Sequence, residues 1–122
     1  DGGISDSIPF EWLSRQGCDR LVVILTRDME YRKAPMSPFL IRLYSRNYPA
    51  VAARLRERHI LYNRSIKVLK QWESDGKAFV IRPSQPVAVK RIEKDPQKLQ
   101  TAYDLGVHDA RENLEPLRNY LR

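Results

Sequence analysis

The feature that most constrains this chain is an uninterrupted helical pattern over residues 48–72. Apolar residues recur there every three or four positions, which places them on one face of an α-helix. Pro49 stands near the start, where its missing amide costs the helix no hydrogen bond. We therefore expect one long amphipathic helix that organises the fold. The residues assigned to its apolar face are Tyr48, Val51, Ala52, Leu55, His59, Tyr62, Ile66 and Leu69.

The opposite side of this predicted helix is basic. Residues 31–72 contain ten lysines and arginines against one acidic residue, Glu57, so this region accounts for the net charge of +7 of the whole chain. At about 100° per residue, four of these cations fall within an arc of about 80°. A solvated surface, contact with anionic lipid headgroups and nucleic-acid binding are all compatible with such a patch, although the aromatics that could stack bases are assigned to the apolar side. The four cations are Arg46, Arg56, Arg64 and Lys67.

Two apolar segments predict β-strands. Residues 21–25 are rich in β-branched side chains and do not alternate with polar ones, so we expect a strand buried on both faces. Residues 77–82 give a second strand, and residues 87–89 at most a short extended piece. A parallel pair requires a crossover, which the helical stretch 39–72 can supply. The expected fold class is α/β, helix-rich, with two or three short strands.

Turn and cap residues delimit the remaining helices. The long helix is expected to end near Gly76. Asp95 followed by proline is a helix start, and that helix is expected to end at Gly106. A final helix is expected from about His108, with a kink at Pro116.

The cysteine and histidine content limits the chemistry of the chain. Cys18 is the single cysteine, which excludes an internal disulfide and fits a reducing compartment. His59 and His108 are isolated from it, so an ordinary structural zinc site is not expected. His59 is interpreted as a hydrogen-bonded packing residue. No apolar run reaches the roughly 20 residues that span a bilayer. We expect no metal, no cofactor and a cytoplasmic location, with peripheral contact to a membrane.

The opening residues Asp1-Gly2-Gly3, followed by Ile4-Ser5-Asp6-Ser7-Ile8-Pro9, resemble the aspartate motif of patatin-like phospholipases. Later segments are similar to the bacterial branch of that family, which carries an extra C-terminal region. These segments are Leu25-Thr26-Arg27, Tyr31-Arg32-Lys33, Arg58-His59 with Tyr62-Asn63, Val80-Ile81-Arg82-Pro83-Ser84, Arg91-Ile92-Glu93-Lys94-Asp95, and Tyr103 with Leu105-Gly106.

The resemblance implies a serine–aspartate dyad in an α/β hydrolase-type domain. The serine of this family lies in a Gly-x-Ser-x-Gly elbow, and a glycine-rich loop forms the oxyanion hole. Asp1 would be the dyad carboxylate that acts as the base, and Gly2 and Gly3 would form the turn that presents it. None of the eight serines of this chain has the flanking glycines. We therefore expect the C-terminal part of a lipid acyl hydrolase, inactive without the N-terminal half of its catalytic domain.

This interpretation also predicts domain limits and partners. Residues 1–35 would be the C-terminal end of the catalytic domain, and residues 36–122 a helix-rich C-terminal region with strand 77–82. A lipid acyl ester would be the substrate, and Arg46, Arg56, Arg64 and Lys67 would contact an anionic membrane surface. The alternatives are a non-enzymatic module that binds nucleic acid or protein through the basic helix, and a structural subdomain that braces a hydrolase core. The structural subdomain is compatible with the hydrolase interpretation. In the isolated chain, Asp1 can also be interpreted as a solvated first residue.

Overall fold

The computed structural model describes residues 1–90 and 92–122. Arg91, which belongs to one of the family-like segments, lies outside the described residues. The described part of the chain is helix-rich and contains two parallel strands, which is compatible with the expected α/β class. The elements in chain order are α1 (Gly2–Ser5), α2 (Phe10–Ser14), β1 (Leu21–Ile24), α3 (Pro38–Asn47), α4 (Pro49–Ser74), β2 (Ala78–Ile81), α5 (Pro96–Glu112) and α6 (Leu114–Leu121).

The chain forms two compact units. The first comprises residues 1–19 and 32–75 and contains α1 to α4. The second comprises residues 20–31 and 76–122 and contains both strands with α5 and α6. The boundary expected at residue 35 separates the catalytic domain of a protein family from its C-terminal region. The two compact units do not test this boundary, so it stays a prediction.

The long helix α4 organises the first unit as expected, and both α1 and α3 pack against it. Its first two apolar positions nevertheless depart from the prediction, because Tyr48 is 61% exposed and Val51 is 37% exposed. Tyr48 precedes the helix with a φ of −137° and a ψ of 67°, so its side chain does not follow the helical period. The fully buried residues of α4 are Ala52, Leu55 and Leu69, all from the predicted face.

Two aromatic rings connect α2 to the C-terminal end of α4. Phe10 is 2% exposed, and its ring meets that of Trp72 edge-on, with centroids 4.9 Å apart. Edge-to-face pairs of this kind add to the stabilisation that burial alone provides. Trp12 is 53% exposed, because it lies two residues from Phe10 and so on another side of the short helix.

The second unit contains the two-stranded parallel sheet, with Leu21 of β1 opposite Ala78 of β2. The expectation that β1 is buried on both faces is wrong, because Val22 is 39% exposed and Ile24 is 72% exposed. Successive side chains of a strand point to opposite faces. Within the described residues, the face that carries Leu21 is covered, whereas the face that carries Val22 is covered only in part, by the contact of Phe79 with the Tyr120 ring.

The last two helices are delimited differently from the prediction. The Asp95 carboxylate caps α5 by accepting a hydrogen bond from the amide of Gln97 at 3.0 Å, as expected. Gly106 does not end this helix, because its φ is not positive and α5 continues to Glu112. The break comes at Asn113 instead. Pro116 then lies in the first turn of α6, where its missing N–H is not required.

A buried carboxylate joins α5 to the segment after β2. Asp109 is 6% exposed, and its Oδ2 accepts a hydrogen bond from the amide of Ser84 at 2.9 Å. Burial of a carboxylate is favourable only when its oxygens find donors. The sequence analysis did not single out Asp109, because an acidic residue on a helix is ordinarily a surface residue.

Candidate functional site

The Asp-Gly-Gly motif opens the single helical turn α1. The Asp1 side chain caps this turn, with its Oδ1 accepting a hydrogen bond from the Gly3 amide at 2.8 Å. The Asp1 carbonyl oxygen accepts a second one from the Ile4 amide at 3.0 Å. Neither Gly2 nor Gly3 has a positive φ. The two glycines therefore present the carboxylate through a helical turn rather than through a left-handed one.

Gly3 is the point at which α4 contacts this turn. Its carbonyl oxygen accepts hydrogen bonds from Arg58 Nε at 2.6 Å and from the Ser7 hydroxyl at 2.9 Å. A Cβ atom on Gly3 would lie 3.2 Å from Asp1 Oδ1 and 3.6 Å from Arg58 Nη2. The absence of a side chain at Gly3 thus gives room to the Asp1 carboxylate, whereas the guanidinium group would make only an ordinary van der Waals contact with a Cβ atom.

Asp1 is exposed and has no nucleophile beside its carboxylate within the described residues. The nearest described serine contact is that of Ser5, whose hydroxyl donates to the Asp1 carbonyl oxygen at 3.4 Å rather than to the carboxylate. The structure brings Asp1, Gly2 and Gly3 together in one turn and adds Arg58. Sequence reasoning assigned Arg58 no role, although it occurs in a family-like segment.

A cavity of about 240 Å³ lies between this opening segment and α4. Its lining is mainly polar and includes more cationic than anionic side chains. The charged residues that line it are Arg15, Arg54, Arg58 and Arg64 with Asp6 and Glu11.

The four cations predicted to contact lipid headgroups do not share one helix face. Arg46 lies in the last turn of α3, whereas Arg56, Arg64 and Lys67 lie on α4, because the chain changes direction between the two helices at Tyr48. All four side chains are exposed. Arg64 lines the cavity, while Arg56 and Lys67 are not part of its lining.

Helix α3 presents apolar side chains to solvent. Phe39 is 74% exposed, Leu43 is 62% exposed and Tyr44 is 44% exposed. At about 100° per residue, these three fall within an arc of about 140°, and Arg42 and Arg46 flank it on one side. The helix contains no acidic residue. This combination of an exposed apolar arc with flanking cations is typical of helices that lie at a membrane interface.

The histidine prediction is confirmed only in part. His59 is half-buried, as a packing residue should be, but its buried Nδ1 has no hydrogen-bond partner among the described residues. Within that same part of the chain, no group of three or more histidine, cysteine, aspartate or glutamate side chains is arranged to hold a metal ion. No described helix combines the length and the apolar character needed to cross a bilayer.

The second unit contains a carboxylate with a shifted pKa. The pKa of Glu93 is lowered from its ordinary value by the backbone amide of Asp95 and then by that of Lys90, both of which donate to the carboxylate. The Lys94 amide adds a third hydrogen bond at 3.0 Å. Hydrogen bonds to the charged form favour ionisation. Glu93 therefore organises the segment before α5.

Residues 48–122 match a protein family described as Domain of unknown function (DUF6363). The match covers more than half of the chain, so the chain belongs to this family. It includes α4, β2, α5 and α6, with the cavity residues Arg54, Arg58 and Arg64, and begins well after Asp1. No curated protein and no solved structure matches the chain. The description of the family names no activity, so the hydrolase interpretation remains a prediction.

Proposed function

We propose that this chain is the C-terminal part of a patatin-like lipid acyl hydrolase, with Asp1 as the carboxylate of a serine–aspartate dyad. The observation that carries the proposal is the geometry of the Asp-Gly-Gly turn. Asp1 Oδ1 is fixed by the Gly3 amide, and Gly3 is fixed in turn by Arg58. The carboxylate is thereby oriented, and no hydrogen bond from the described residues occupies its Oδ2.

The proposed reaction is ester hydrolysis through an acyl-serine intermediate. The Asp1 carboxylate accepts the proton of a serine hydroxyl supplied from outside this chain, and the serine oxygen attacks the ester carbonyl. Backbone amides stabilise the tetrahedral oxyanion, and the alcohol leaves with the proton. Water then attacks the acyl-serine, with the same carboxylate as the base. The chain alone has no catalytic activity in this proposal, since none of its serines lies in a Gly-x-Ser-x-Gly elbow.

The parallel sheet supports the assignment to a larger α/β domain. Within the described residues β1 and β2 pair only with each other, and Val22 and Ile24 remain exposed. Parallel strands are ordinarily buried inside sheets of more than two strands, with both faces covered. Further strands and helices of a hydrolase domain would cover these apolar side chains.

The surface of the first unit supports a substrate at a membrane. The exposed apolar arc of α3, with Arg42 and Arg46 beside it, suits the boundary between headgroups and acyl chains. The headgroup cations Arg56, Arg64 and Lys67 of α4 add positive charge for anionic lipids. We therefore place the enzyme in the cytoplasm, in peripheral contact with an anionic membrane surface where its lipid acyl esters are found.

The test uses the intact protein that contains this chain and a chromogenic fatty-acyl ester. Asp1→Asn should lower kcat by about 10²–10⁴-fold, because the serine loses its base. Asp6→Asn is the matched control, since Asp6 belongs to the same motif and, among the described residues, its carboxylate accepts a hydrogen bond from the Ile8 amide alone. Its turnover should remain close to that of the wild type.

Unchanged turnover of the Asp1→Asn variant would contradict the catalytic assignment. If the intact protein hydrolyses no ester and instead binds single-stranded DNA with an affinity that falls as salt is raised, the binding-module alternative replaces the hydrolase.

A further inference from the structure

The cavity beside α1 is built mainly on one face of α4. Arg54, Arg58, Tyr62 and Ser65 line it at spacings of four, four and three residues, which a helix places in one row. The opposite wall comes from the segment that joins α1 to α2. Because one wall is a long helix with buried residues along its length, the backbone positions of Arg54 and Arg58 on that wall are fixed.

The charges of this cavity are not balanced by the protein. Four arginines line it against the two carboxylates of Asp6 and Glu11, so the lining carries a formal charge of +2. Arg54 and Arg58, four residues apart on one helix face, repel each other. In the described part of the chain, no ion pair engages Arg54 or Arg64. An anion inside the cavity would relieve this repulsion.

Arg58 is oriented to bind such an anion. Its Nε is committed to the Gly3 carbonyl oxygen at 2.6 Å, and the side chain is half-buried. The guanidinium plane is therefore fixed before any ligand arrives. Its remaining N–H groups form a planar fork, a geometry that matches two oxygens of one phosphate or carboxylate group. The hydroxyl of Ser65, on the same helix face, offers a further donor.

The size and the polarity of the cavity indicate which chemical groups it can bind. The cavity has a volume of about 240 Å³, opens to solvent and has a mainly polar lining, so it suits a small anion better than an acyl chain. A phosphate monoester carries between one and two negative charges near neutral pH and offers three oxygens. We propose that this cavity is a binding site for a phosphate group, with Arg54, Arg58 and Arg64 as its ligands. The proposal does not depend on the hydrolase assignment.

Calorimetric titration of the full chain with inorganic phosphate at low ionic strength tests the site. Arg54→Gln and Arg64→Gln should each weaken phosphate binding roughly tenfold, the effect of removing one charge-assisted contact. Both side chains are exposed, so their substitution should leave the fold intact, which circular dichroism checks. Lys70→Gln is the matched control. It removes the same charge from the same helix outside the cavity, and it should weaken binding less than twofold.

Two results would overturn the proposal. One is the absence of phosphate binding by the wild-type chain, and the other is an equal loss in Lys70→Gln, which would indicate attraction by net charge alone. Phosphate binding is measured on this chain by calorimetry, whereas ester turnover is measured on the intact protein. Failure of the hydrolase assignment and failure of the phosphate site are therefore distinguishable.

Vesicles identify the source of the phosphate group. Vesicles that contain phosphatidic acid present a phosphate monoester, whereas vesicles with the same fraction of phosphatidylserine do not. If the ligand is a lipid headgroup, Arg54→Gln should weaken binding to the phosphatidic acid vesicles selectively, and inorganic phosphate should compete. If the ligand is a free phosphate compound, phosphate binding should remain sensitive to Arg54→Gln while vesicle binding is not.

Discussion

The hydroxyl group of Tyr120 connects α6 to both strands of the sheet. It accepts a hydrogen bond from the Leu21 amide at 3.1 Å and donates one to the Lys77 carbonyl oxygen at 3.1 Å. The Tyr120 ring also lies 5.6 Å from that of Phe79 on β2. Leu21 is 7% exposed, so its amide has little access to water as an alternative acceptor. One phenol oxygen therefore satisfies a buried donor and aligns the beginnings of β1 and β2.

At the residue scale, Tyr120→Phe should destabilise the chain by about 1–3 kcal/mol, the cost of leaving a buried donor without an acceptor. The ring contact with Phe79 is preserved, so the change isolates the hydroxyl group. Urea unfolding followed by circular dichroism measures the effect. Tyr103→Phe is the control, because Tyr103 is 68% exposed, and its loss of a hydroxyl should change the free energy of unfolding by less than about 0.5 kcal/mol. Equal effects of the two substitutions would contradict the bridging role.

Two glycines have different structural roles, because one follows the end of a helix and the other lies inside a helix. Gly76 follows α4 with a φ of +70°, a left-handed conformation that side chains with a Cβ adopt only at a cost. Gly106 lies inside α5 with helical geometry, and a Cβ placed there would meet no atom within 4 Å. Sequence reasoning treated both as helix ends, because glycine is the usual residue at that position.

At the element scale, Gly106→Ala should stabilise the chain by roughly 0.5–1 kcal/mol, since alanine is the better residue in a helix interior. Gly76→Ala should destabilise it by about 1 kcal/mol, because its φ is unfavourable for an L residue. Thermal unfolding of both variants under identical conditions measures whether each substitution raises or lowers the stability of the chain. A loss of stability in Gly106→Ala would show that α5 ends where the sequence had placed its end.

The distribution of charge and apolar surface matters for the whole molecule. The net charge of +7 arises from residues 31–72, and the exposed apolar arc of α3 falls within the same region. Cations attract anionic lipids over a distance limited by salt screening, while apolar side chains contribute only after contact. The two contributions therefore respond differently to ionic strength.

At the scale of the whole molecule, the affinity for vesicles that contain phosphatidylglycerol should fall as NaCl is raised from about 50 to 300 mM. The double variant Phe39→Ser with Leu43→Ser should bind at least about tenfold more weakly at every salt concentration, because burial of each side chain is worth about 1.5–3 kcal/mol. Leu121→Ser, a change at a site 52% exposed on α6, is the control. Co-sedimentation measures the affinities. Equal binding by the double variant and the control would contradict a membrane role for α3.

Much of the local structure of this chain follows from the sequence alone. The length of α4, the cap at Asp95 and the two strands were predictable, because periodicity, capping and β-branching act over a few neighbouring residues. The parallel pairing was an expectation of the same kind, since a long helical segment separates the strands. Within the candidate site, the sequence identified Asp1, Gly2 and Gly3 but gave no role to Arg58.

Only the tertiary structure decided which of these local features lie together. The contact between Arg58 and Gly3 joins residues 55 positions apart, and the bridge from Tyr120 to Leu21 joins residues 99 positions apart. The exposure of Val22 and Ile24 likewise depends on what covers the sheet. Local patterns fix backbone conformation because their interactions lie within a helical turn or a strand. The cavity and its arginine cluster exist only because α1 and α4 pack against each other, and no short-range pattern encodes that distance.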